Sequence, residues 1–135
     1  MTADERIREL DLILPEPIKL PPNLEMQFSW VRVSGNRVFI SGHIALNVDG
    51  SVSEVTGKVG GQVTVEQGYE AARQTGLAIL SSLKRELGTL NKITAWLRVF
   101  GMVNVEPGFV KTPSVINGFS DLILDVFGKE IGDHS

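Results

Sequence analysis

Residues 64–88, TVEQGYEAARQTGLAILSSLKRELG, constrain the fold of this chain more than any other stretch. Thr64 and Gln67 stand three apart, the spacing of a capping box in which a hydroxyl and a side-chain amide satisfy two otherwise unpaired donors at a helix start. Tyr69, Ala72, Gly76, Ile79, Leu80, Leu83 and Leu87 then recur at the spacing that gathers them on one helix face. Gly88 supplies a residue able to turn left-handed and stop the helix. A helix of this length, roughly 36 Å at 1.5 Å per residue, needs other elements against which to bury its stripe.

The flanking sequence offers those elements. Residues 28–33 and 37–41 are rich in β-branched and aromatic side chains, and Ser34, Gly35 and Asn36 between them have the composition of a hairpin turn. In residues 93–100, ITAWLRVF, alternation puts Ile93, Ala95, Leu97 and Val99 on one face and Thr94, Trp96, Arg98 and Phe100 on the other, which predicts a strand covered on both sides. Residues 112–128 read as a second helix, with Thr112 as N-cap, Pro113 in the first turn, an apolar stripe through Val115, Phe119, Leu122 and Val126, and Gly128 as its stop. Before all of these, Thr2 and Glu5 form another capping box for a short helix ending before Pro15. Four prolines within residues 15–22 then remove backbone donors and predict an extended arm. Residues 47–50 form a turn, and residues 51–61 a short strand with a loop.

The order hairpin, helix, strand, helix places residues 93–100 in the hairpin's sheet by a crossover connection, while the last helix leads to no strand. The expectation is that the sheet's final strand is missing from this chain and that the natural protein continues past Ser135. The division expected is residues 1–23 as short helix and Pro-rich arm, followed by one domain over residues 24–135.

Composition narrows the chemistry. With 135 residues, 42% of them hydrophobic, the chain can bury one real core. It has no cysteine, which excludes disulfides and thiolate sites, and its two histidines, His43 and His134, make a metal site disfavoured. A net charge of −3 gives no general attraction to phosphate backbones, so nucleic acid is a disfavoured partner. The charged N-terminal segment does not resemble a secretory signal, and no apolar run approaches the roughly 18 residues of a membrane span. The cytoplasm is the expected location, with no membrane contact. No G-x-S-x-G turn aims a serine, and GKVGG at residues 57–61 lacks the order of a phosphate loop. Trp30 and Trp96 fit packing or a subunit contact better than base stacking.

Two short segments carry polar groups where plain packing would not require them. In Ser41-Gly42-His43, the glycine permits close approach of a ligand or another chain, and the imidazole is suited to proton transfer; a strand-end kink and a structural histidine are the competing readings. Asn117 and Gly118 put two poor helix formers one turn into the second helix. The amide can line a pocket or simply face solvent, and the glycine fits a tight approach to a neighbouring backbone.

In order along the chain, GNRVFISGHIAL, GQVTVEQGYEAARQ, ITAWLRVFGMVN and FVKTPSVINGFSDLILDVFG resemble the Rid family, also called the YjgF family, over roughly residues 24–135. The likeness is to a branch whose role is less settled than that of the imine-hydrolysing branch. It implies an α+β, chorismate-mutase-like fold: a mixed sheet with two helices packed on one face, and a homotrimer with clefts between subunits. The resemblance also implies hydrolysis of reactive enamines or imines such as 2-aminoacrylate, without a cofactor. Ligand-binding positions carried over are Phe28, Ser41, Gly42, His43 and Asn117. Phe28 stands where the active branch has a tyrosine and His43 where it has a glutamine. The arginine and glutamate of that branch would lie beyond Ser135, leaving no catalytic residue assigned. The alternative is a trimer that binds or senses small carboxylates without turnover; endoribonuclease or translation-inhibitor activity is a third reading.

Overall fold

The computed structural model describes all 135 residues. Helix α1, Ala3–Glu9, begins with the expected reciprocal capping box between Thr2 and Glu5. The hairpin follows as β1, Val31–Ser34, and β2, Arg37–Ile40, paired antiparallel from Val31 with Ile40 to Ser34 with Arg37. Gly35, at φ 60°, and Asn36 make the turn.

Helix α2, Val65–Leu87, has both ends where its sequence puts them: a complete Thr64–Gln67 capping box and a left-handed Gly88. Helix α3 spans Thr112–Gly132. Its N-cap is Lys111 rather than Thr112, with no side-chain cap bond, and Gly128 breaks the helical path as expected before one more turn.

The two long helices pack on each other and on the inner face of the hairpin. Leu80 and Leu83 of α2 and Leu122, Ile123 and Val126 of α3 are almost wholly buried, in one core with Val31 of β1 and Ile7 of α1. The helix seam is close because α2 and α3 meet through small residues. A Cβ placed on Gly118 would overlap the carbonyl oxygen of Tyr69, and one on Gly76 would lie 2.7 Å from Leu122 Cδ2. Gly118 thus fills the role its sequence suggested, a close approach of backbone to backbone.

Residues 93–100 correct the sequence expectation. They follow a 3₁₀ turn at Leu90–Lys92 but do not join the hairpin, whose sheet has two strands. Their backbone partners lie at the C-terminal end instead: Trp96 N–H donates to Ile131 O at 2.7 Å, and Ser135 N–H to Leu97 O at 3.0 Å. Ile93, Trp96 and Val99 pack on the core at intervals of three, while Leu97 and Phe100 are 72% and 76% exposed. Burial every third residue is incompatible with the pleat's alternation of two. Trp96 sits between Phe119 and Phe127, ring centroids 5.9 and 5.5 Å away, with its buried Nε1–H unpartnered. A parallel bridge between Val59 and Val105 ties the polar 51–61 stretch to the segment before α3.

Candidate functional site

The Pro-rich arm does not project from the molecule. Glu16 N–H donates to Val48 O at 2.9 Å and Lys19 N–H to Gly50 O at 3.0 Å, pinning the arm to the turn at residues 47–50. Gly50, at φ 88°, is required twice over, because a Cβ there would also run into the Pro17 carbonyl. Held in this way, the arm roofs a cavity of about 360 Å³ whose floor is α2 and whose sides are the segments flanking the hairpin.

Most of the lining is apolar, with Met26, Phe28, Trp30, Ile44 and Leu46 forming the wall. The Phe28 and Trp30 rings meet edge to face at 5.1 Å, and Trp30 lies 5.3 Å from the His43 ring. Polar groups converge from His43 after β2 and from Ser82 and Arg85 on α2, while Glu16 contributes from the arm.

The hydrogen bonds fix the state of His43. Its Nδ1 lies 2.7 Å from Ser41 O, an acceptor only, so Nδ1 carries the proton and donates. Burial, and then the positive charge of Arg85, push the imidazolium pKa below its ordinary value, against the pull of the Ser41 carbonyl. In the neutral ring Nε2 is therefore an acceptor, and the Ser82 hydroxyl, 2.9 Å away, donates to it. Ser82 Oγ accepts in turn from Arg85 Nη2 at 3.2 Å, and Ser81 Oγ from Arg85 Nη1 at 2.6 Å. The Ser81 hydroxyl in turn donates a hydrogen bond to Pro15 O, tying this network to the arm. Arg85 belongs to none of the ion pairs, which join Lys19 to Asp49, Lys84 to Asp4 and Lys129 to Asp133.

Of the residues expected at a site, Phe28, Gly42 and His43 meet at this cavity. A Cβ on Gly42 would meet nothing within 4 Å, so the space beside it is open. Ser41 stands behind them: its hydroxyl donates to Ser29 O at 2.7 Å and its carbonyl orients His43. Asn117 is not brought to the group; it is exposed on α3, outside the cavity lining. Trp30, expected to serve packing or a subunit contact, forms part of the wall, whereas Trp96 does pack. Sequence reasoning missed Ser82 and Arg85. Both lie off the apolar stripe of α2, where a polar side chain ordinarily faces solvent, so the sequence pattern carried no signal for them. No group of three or more His, Asp or Glu gathers that could hold a metal ion.

This architecture recurs in known proteins. A family model described as "YjgF/chorismate_mutase-like, putative endoribonuclease" matches residues 9–135. Protein TCP17 of Trypanosoma cruzi is 36% identical over 120 residues, covering 87% of this chain and 74% of that protein. Among solved structures, one described as "a putative endoribonuclease" from Shewanella oneidensis MR-1 superposes with a TM-score of 0.86 at 31% identity, over 100% of this chain and 85% of that one. The Agrobacterium tumefaciens protein Atu1372, of unknown function, gives 0.83 at 33% identity, over 99% and 77%. The chain belongs to the YjgF/chorismate mutase-like family and has its α+β fold.

Proposed function

We propose that the chain is a Rid-type hydrolase of reactive enamines and imines such as 2-aminoacrylate, working in the cytoplasm as a homotrimer. The observation that carries this reading is the meeting of Phe28, Gly42 and His43 on one cavity whose polar end also holds Ser82 and Arg85. The enamine takes a proton on carbon to become the imine, water adds to the C=N carbon, and collapse of that adduct forms the carbonyl as ammonia leaves. No cofactor is needed, because the electrons never leave the substrate's own bonds. Residues 24–135 form the domain in this proposal, and residues 1–23 are strapped to it through Ile7 and the arm.

Trimer formation is supported by apolar side chains left in water. Leu97, Phe100, Met102 and Val110 are 72% to 87% exposed, close together in sequence, and suited to cover by another copy. Asn117, outside the single-chain cavity, has its amide free to serve a cleft at such a boundary.

A second reading, binding or sensing of a small carboxylate without turnover, is favoured by two observations: Phe28 brings no hydroxyl, and His43 Nε2 is already occupied by Ser82. Generating 2-aminoacrylate with a pyridoxal-phosphate dehydratase and following pyruvate separates the two. Acceleration by this protein is expected; binding of the product acid without acceleration would replace hydrolysis by sensing. Labelled RNA incubated in parallel tests the activity in the family's description, which a net charge of −3 does nothing to promote.

A further inference from the structure

We propose that Arg85 is the anion anchor of the cavity, and that the ligand is a monocarboxylate with a bulky apolar or aromatic body. This inference rests on the cavity being the ligand site, but not on any reaction there.

The guanidinium has five N–H donors in a planar fork. Two are engaged, by Ser81 and Ser82, and the three others face no carboxylate within ion-pair distance. The serines act as a brace. Ser82 is itself fixed by donating to His43, and Ser81 by donating to Pro15, so the fork is oriented before a ligand arrives. A braced arginine loses little further freedom on binding, and its flat edge suits a carboxylate's two oxygens.

Charge selects a monoanion. Arg85 is the one cation of the lining, His43 is neutral, and Glu16 adds a negative charge from the arm. A second anionic group on the ligand would have no partner and would meet Glu16. Size selects a bulky body, since about 360 Å³ lies in the range of pockets that enclose ligands well beyond three carbons. The wall of Phe28 and Trp30, set edge to face, offers π surfaces to a ring.

The test is a calorimetric titration of the full chain with three matched probes: 3-phenylpropanoate, propanoate and 3-phenylpropan-1-ol. The first is expected to bind at least tenfold tighter than either of the others. Arg85→Met is expected to weaken 3-phenylpropanoate by tenfold or more, about 1.4 kcal/mol, with Arg85→Lys falling between. Arg85 is exposed, and a matching thermal melt verifies that each variant is folded. Equal affinity for propanoate, equal affinity for the alcohol, an unchanged Arg85→Met protein, or no binding of any probe would each overturn the proposal. Failure of 2-aminoacrylate turnover leaves these titrations as they are, so the two readings fall separately.

Discussion

Helix α2 works in opposite ways on its two sides. Toward α3 it presents Gly68, Ala72 and Gly76, so that the Tyr69 carbonyl comes against Gly118; the one side-chain hydrogen bond across the seam, Tyr69 Oη–H to Asp121 Oδ2 at 2.7 Å, lies at its exposed edge. Toward the arm it presents Ala78, Ser81, Ser82 and Arg85, and here the partners are a histidine for Ser82, the Pro15 carbonyl for Ser81 and an open volume. The first side is governed by steric fit, where one methyl group matters. The second is governed by which donor meets which acceptor, and it leaves a cation with spare hydrogen-bonding capacity. One helix serves both as the spine of the core and as the floor of the site.

The contrast breaks most visibly at the seam. Gly118→Ala is expected to destabilise the fold by about 2 kcal/mol, since overpacking against backbone outweighs the roughly 1 kcal/mol gain in helix propensity; denaturant midpoints at unchanged m-value measure it. A stabilised Gly118→Ala protein would mean that the seam has slack.

On the cavity side, Ser82→Ala tests whether hydrogen bonding rules. Alanine is the better helix former, so a purely steric surface would gain from it. The expectation is a loss of about 1 kcal/mol, because His43 Nε2 loses its donor and Arg85 a brace. The same denaturation series decides the sign.

The smallest effect is in pH dependence. The folded-state pKa of His43 lies below its unfolded value near 6.5, so the unfolded chain takes up this proton first as pH falls. The associated stability is present above about pH 6.5 and is lost as pH falls through the lower folded value. Midpoints measured from pH 7.5 to 5 are expected to drop more steeply for the wild type than for His43→Gln. Parallel curves would separate His43 from the acid response.

What could be read in advance follows the same division. The ends of α2 were legible because capping is local: Thr64, Gln67 and Gly88 lie within reach of the groups they satisfy. Hairpin pairing around Gly35 and Asn36 was legible for the same reason. Residues 93–100 were not, because apolar side chains on both faces conceal which of them turn inward. Their backbone partners, Ile131 and Ser135, lie more than thirty positions away. At the site, Phe28, Gly42 and His43 entered through family resemblance, and the chain brings them together. Ser82 and Arg85 escaped notice because a polar residue on a helix is ordinarily a solvated one. Only the position of His43 across from Ser82 gives the serine its task.

The placement of the two tryptophans gives the molecule a pair of built-in optical gauges. Trp96, wedged between Phe119 and Phe127, will change its emission when the interior opens, whereas Trp30, beside Phe28 and His43, will respond when something occupies the chamber. Replacing either indole by phenylalanine would leave a single-channel instrument, reporting integrity in one version and occupancy in the other.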